Sequence, residues 1–229
     1  MHSECVKIVT FSGIDGAGKS TQIQALTNWL RTAGMNVKLL SFWDDVVMFS
    51  RFRQGMSEKI FRGDQGTGSP DNPLNRRDKN VSSWPVTTAR FFLYFFDALN
   101  LWRKVQQEKK GGADVVIFDR YIYDELANLP LQRWITRMLL SLLLRIVPTP
   151  DMAYVIDADP VAARQRKPEY PLDFIRKNRE AYLMLSRLIK GITVIEPLAV
   201  APAELRVKEA FLQNISAPRQ SLAGLPAIQ

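Results

Sequence analysis

The segment Gly13-Ile14-Asp15-Gly16-Ala17-Gly18-Lys19-Ser20 combines three glycines with an ammonium and a hydroxyl directly after them. That is the equipment phosphate chemistry needs. Glycines let a backbone curl until successive N–H groups point inward at phosphate oxygens. Lys19 at this spacing can reach the β and γ phosphates of a nucleoside triphosphate, and the Ser20 hydroxyl can ligate Mg²⁺. Every fixed position of G-x-x-x-x-G-K-[ST] is present. An apolar run precedes the segment and a helical pattern follows it, so free N–H groups and the positive dipole end of a helix would add to the cradle. The context excludes a chance glycine-rich turn and predicts binding of a nucleoside triphosphate.

Two further groups of residues suit the same chemistry. In "VVIFDRY" Asp119 ends an apolar run, at the strand edge where ligands gather in open α/β sheets. A carboxylate there can hold the Mg²⁺ water shell or orient an acceptor, and Arg120 beside it can place a guanidinium on a phosphate. In "DADPVAARQRKPEYP", Asp157 to Pro171, Arg164, Arg166 and Lys167 fall within four residues before a proline-bounded turn. Phosphoryl transfer spreads charge over equatorial oxygens, so a mobile basic lid would stabilise that charge and exclude water. Arg164, nearest the core of its helical pattern, is the residue expected to meet the donor phosphates.

The elements that must position these groups are legible as short β-branched runs alternating with longer helical patterns, the mark of α/β architecture. Strands are expected at Cys5–Ser12, Asn36–Phe42, Ala113–Asp119, Met152–Asp157 and Ile192–Glu196. Their lack of polar alternation predicts a parallel sheet covered on both faces. Helices are expected at Lys19–Ala33, Val86–Lys110, Leu131–Val147, Leu172–Lys190 and Ala201–Asn214, several of them stopped by Gly or Pro. The expected organisation is one domain over residues 1–214, with a lid near 158–172, a mobile Gly/Pro/Asn-rich loop near 62–85, and a C-terminal tail at 215–229.

Composition narrows the function classes. Across 229 residues Lys and Arg outnumber Asp and Glu by 31 to 23, a net +8 that suits a polyanionic partner such as a nucleotide. One cysteine, Cys5, and one histidine, His2, exclude a disulfide framework, Cys/His zinc sites and histidine-based triads. The N-terminus has no signal-peptide pattern, and the most apolar stretch, Met138 to Val147, is too short to span a bilayer. A cytoplasmic protein is expected, without a membrane span and without nucleic-acid binding, for which no recognition motif is present.

Together these residues resemble the thymidylate kinase family. "FSGIDGAGKST" is similar to that family's phosphate loop, including Asp15 inside it, and Asp119-Arg120-Tyr121 matches its DR[YFH] motif. "DADPVAAR" resembles the segment leading into the family's lid, and "NREAYLML" its R-x-x-Y-L helix. The resemblance implies a P-loop kinase fold with a five-stranded parallel sheet, Mg²⁺-ATP as phosphoryl donor and a nucleoside monophosphate, dTMP first, as acceptor. Gly13, Gly16, Ala17, Gly18, Lys19, Ser20 and Thr21 would then bind ATP, with Ser20 and Asp119 at the metal and Arg164 at the donor phosphates. Asp15, Asp119, Arg120 and Tyr121 would serve the acceptor, with Tyr94 on the long helix stacking on its base. Lys19, Asp15, Arg120 and Arg164 are the expected catalytic residues. Related kinases also pair through helices, so the strongly apolar helix Leu131–Val147 has two equal readings, a homodimer interface or a core helix covering the sheet.

The departures from the family all fall on the acceptor side. "SFWDDVVMF" replaces a T-R-E-P-G-G-like segment, with Asp44 or Asp45 as the substitute acid and Arg51 or Arg53 as the substitute arginine. After DRY the chain reads "IYDELANL" where the family tends toward S-x-x-A-Y-Q, keeping only Ala127. An arginine of the long helix is replaced by Ala98 beside Asp97. A kinase of another acceptor, a deoxynucleoside or phosphorylated metabolite, therefore stands beside the nucleotide kinase. So does a non-catalytic nucleotide-binding regulatory protein.

Overall fold

The structure is a computed structural model, which describes residues 6–47 and 84–216. Residues 62–83 of the expected loop, with Arg51, Arg53, Cys5, His2 and most of the tail, lie outside the described residues, while Trp84 and Pro85, expected in that loop, begin a helix.

Five parallel strands form one sheet: β1 (Lys7–Ser12), β2 (Val37–Ser41), β3 (Val115–Asp119), β4 (Met152–Ile156) and β5 (Ile192–Ile195), in the order β2-β3-β1-β4-β5. Burial follows position in that order. β1, β3 and β4 are central and nearly wholly buried, as their unbroken apolar runs require. β2 and β5 are edges, and Lys38 and Leu39 of β2 are exposed.

Among the described residues seven α-helices surround the sheet: α1 (Lys19–Thr32), α2 (Trp84–Glu108), α3 (Ile122–Leu126), α4 (Trp134–Leu144), α5 (Pro160–Arg166), α6 (Leu172–Leu188) and α7 (Val200–Ser216). The C-terminal helix thus runs two residues past the expected start of the tail. A π-helical turn, Phe42–Val46, follows β2. The five-residue α3 was not anticipated. The sequence signals a lid at 158–172, and the structure makes its first half a helix begun by Pro160 and capped by Asp159, whose side chain accepts the Ala162 N–H at 2.8 Å.

Register brings the chemistry to one edge. Phe11 of β1 and Ser41 of β2 both stand opposite Asp119, while Ser12 of β1 stands opposite Val155 of β4. The chain builds outward from β1 in both directions, so the segments leaving β1, β3 and β4 meet at the carboxyl edge of the sheet.

Candidate active site

The loop leaving β1 has the predicted backbone. Gly13 and Gly16 have φ of 136° and 80°, a region closed to most side chains. Space demands glycine as firmly as conformation does. A Cβ at Gly13 would collide with the Ile156 carbonyl at the end of β4, and one at Gly16 with the Ala163 carbonyl of α5. The loop is therefore pressed between a strand end and the lid helix.

Lys19 is buried beneath this loop, its ammonium donating to the carbonyls of Gly13 at 2.9 Å and Ile14 at 2.8 Å. Burial, reinforced by the Arg120 charge, lowers its pKa to about 8, against the opposing pull of Asp15, Asp124 and Asp119. Those four charges are thereby placed around one ammonium. Ser20 and Thr21 are exposed on the first turn of α1; Thr21 lines an open groove between α1 and α7.

Arg120 is the centre of the second half of the site. It is a non-glycine residue with positive φ, 67°, a conformation that persists only when its surroundings hold it. Its backbone N–H donates to the Phe11 carbonyl at 2.9 Å. One arm of the guanidinium bonds Asp15 of the phosphate loop, and the other bonds Asp124 of α3 at 2.8 Å. Burial works against its charge, but Asp124, Tyr182 and Asp15 outweigh that and raise its pKa above the usual arginine value.

Asp124 was not among the expected site residues. It accepts from the Ser12 hydroxyl at 2.6 Å, the Tyr182 hydroxyl at 2.7 Å, the Tyr121 N–H at 3.1 Å and Arg120. Tyr182 sits on α6, and burial followed by the nearby Asp124 charge raises its pKa well above the ordinary tyrosine value. One turn earlier Arg179 clasps Asp157, at the end of β4, through two bonds of 2.6 and 2.7 Å. Arg179 and Tyr182 are the Arg and Tyr of the R-x-x-Y-L pattern, so the sequence did carry a signal for α6, though not for its partners.

The remaining expected site residues lie as follows. Tyr121 lies wholly in the core, its ring packed at 5.2 to 6.4 Å from those of Tyr123, Phe118 and Phe42, its hydroxyl bonded to the Pro148 carbonyl at 2.6 Å. It has no surface left for an acceptor. Tyr94 is likewise a buried core residue of α2. On α5 it is Ala163 that packs on the loop at Gly16, and the next residue, Arg164, is half-buried. Arg166 approaches Gly18, and the Lys167 ammonium lies 4.0 Å from Asp15. Asp45 bonds the Ser41 N–H of its own turn at 2.8 Å and Asp44 is exposed, so neither joins the cluster.

The comparisons with known proteins agree with this geometry. No protein-family model matches the chain. A probable thymidylate kinase of Pyrococcus abyssi is 27% identical over 229 residues, covering 95% of this chain and 98% of the relative. A thymidylate kinase of Prochlorococcus marinus is 25% identical over 223 residues, covering 92% and 97%. These relatives, matched along nearly their whole length, support the resemblance to the thymidylate kinase family. The solved thymidylate kinase structure from Ehrlichia chaffeensis shares the fold at 17% identity with a TM-score of 0.59, covering 91% of this chain and 99% of that one. The similarity supports a kinase, a phosphotransferase that binds nucleotides. Its five-stranded parallel sheet is the expected P-loop kinase architecture.

Proposed function

We propose that this chain transfers the γ-phosphoryl group of Mg²⁺-ATP to a nucleoside monophosphate, with dTMP the first acceptor. The observation that carries the reading is the pair of cations at the carboxyl edge, the buried Lys19 and the half-buried Arg120. The Arg120 charge bears on Lys19, and the two are supplied by the start of α1 after the phosphate loop and by the turn after β3. One cation serves each phosphate partner. The loop's N–H groups and Lys19 hold the donor's β and γ phosphates, with Arg166 and Lys167 of the lid closing over them. Arg120 holds the acceptor's phosphate and aims its oxygen in line. Catalysis is then positioning plus neutralisation of charge on the transferring group, which needs no histidine base.

Magnesium fits the donor set. Ser20 on the first turn of α1 and Asp119 at the end of β3 supply the one or two protein oxygens that Mg²⁺ uses when phosphates and water complete its shell. When bound, the ion would neutralise charge on the phosphates. The polar residues the family uses for its base differ here, which keeps other phosphorylated acceptors in the same assay. A panel of nucleoside monophosphates, deoxynucleosides and sugar phosphates, scored by ADP release, tests the reading. Turnover with dTMP or another nucleoside monophosphate supports it; turnover only with an unphosphorylated nucleoside, or with none, refutes it.

A further inference from the structure

The two carboxylates on Arg120 are not equivalent. Asp15 belongs to the phosphate loop, its side chain is 17% exposed, and its second cationic neighbour, Lys167, belongs to the lid. The Asp124 side chain is 1% exposed and takes four donors from three parts of the fold: Ser12 at the end of β1, Arg120 and Tyr121 in the turn after β3, and Tyr182 on α6. It grips the left-handed residue twice, through the Arg120 guanidinium and through the N–H of the next residue.

We infer that Asp124 is the positioning residue for Arg120, its fixed partner, while Asp15 is the exchangeable partner that the acceptor's phosphate replaces. The inference rests on the nucleotide-kinase reading for the phosphate and on geometry alone for the arginine. Two carboxylates already neutralise the guanidinium, so an incoming phosphate dianion must displace one of them. Asp15 can leave, because it is partly solvated and Lys167 is beside it. Asp124 cannot, since four donors would be stranded in a buried site. The same carboxylate ties α6, the helix directly after the lid, to the acceptor cation through Tyr182. Arg179 ties that helix to β4 one turn away.

Substitution by asparagine separates positioning from bulk. The amide group has the right shape, but its NH₂ must replace one oxygen. Placed toward Ser12 it meets the Tyr121 N–H; placed toward Tyr182 it meets the Arg120 guanidinium. Neither of those donors can reverse and accept.

The test uses the full chain with dTMP and ATP as probes. For Asp124→Asn the KM for dTMP should rise at least about tenfold while the KM for ATP stays within about threefold, the split expected when only acceptor binding is weakened. Tyr182→Phe keeps the carboxylate and removes one donor, so the dTMP KM should shift by roughly threefold or less. Equal changes in both KM values, or none for Asp124→Asn, would overturn the inference. The second readout is the Arg120 guanidinium ¹⁵N spectrum without any nucleotide, assigned with Arg120→Lys. Slowed Nη rotation in the wild type that is lost in Asp124→Asn and kept in Asp15→Asn supports Asp124 as the fixed partner. The opposite pattern refutes it. If the wild type gives no turnover with any nucleoside monophosphate, the kinase reading fails alone and this spectrum still decides the positioning. If Asp124→Asn does not fold, Ser12→Ala and Tyr182→Phe carry the same test in graded form.

Discussion

The two halves of the site are made in different ways. The donor half is a short contiguous segment, Gly13 to Ser20, whose work is done by backbone N–H groups and one lysine. The acceptor half is assembled from Ser12, Asp15, Arg120, Asp124 and Tyr182, which come from β1, the loop after it, the turn after β3, α3 and α6. A backbone cradle depends on a few glycines and leaves little to vary. A side-chain cluster can exchange residues so long as its hydrogen bonds and charges still balance. The departure after DRY, which brings in Asp124, falls on the second kind of construction.

Removing the donor-side cation should have the largest effect. Lys19→Ala is expected to lower turnover by roughly a thousandfold, because a preorganised charge on the transferring group is lost. Steady-state ADP release measures this, and full residual activity would sink the loop mechanism. Next is Gly16→Ala, which forces a side chain into positive φ and against the Ala163 carbonyl. It should cost about 1–3 kcal/mol of stability, read in a thermal melt. By lifting the lid helix it should raise the KM for ATP more than that for the acceptor. An equal rise in both would erase the distinction between the halves.

The pH response distinguishes them further. Lys19 has a folded-state pKa of about 8 against 10.5 for an unperturbed lysine side chain. Between those values the unfolded chain binds more protons, so this group makes stability rise with pH through that window. Nucleotide affinity runs the other way, because a triphosphate needs the protonated ammonium. kcat/KM for ATP should therefore fall above about pH 8, and calorimetry in buffers of different ionisation enthalpy should show proton uptake on ATP binding. Arg120 stays charged throughout, so kcat/KM for the acceptor at saturating ATP should decline less. The smallest effect is expected at the turn after β2. Asp44→Ala and Asp45→Ala should leave the acceptor KM within about twofold, with at most about 1 kcal/mol lost where Asp45 held the Ser41 N–H.

The same contrast explains what was legible in the sequence. Strand positions were readable to within two residues because central parallel strands are buried on both faces and must be apolar throughout. The long helices were readable from their periodicity and stops. The five-residue α3 is too short for periodicity to register, and it follows DRY with no strong start signal. Asp124 could be seen only as a departure from a familiar pattern; its meaning depends on Ser12 and Tyr182, 112 and 58 residues away. The core placement of Tyr121 and Tyr94 was not legible for a related reason. An aromatic beside a motif, or on a long helix, has the same local sequence whether it faces a ligand or the core, and only packing separates the two. The sequence groups Arg164, Arg166 and Lys167 but does not show that Ala163 is the contact with Gly16.

The central claim, that the donor and acceptor cations act on two phosphates in one transfer, is tested most directly by ³¹P NMR of the full chain with Mg²⁺, ATP and dTMP. The account predicts that dTMP phosphorus is converted to dTDP resonances in step with formation of ADP, and that the conversion is lost in both Lys19→Ala and Arg120→Ala. ATP consumed to ADP and inorganic phosphate with dTMP and every other nucleoside monophosphate left unchanged would contradict it.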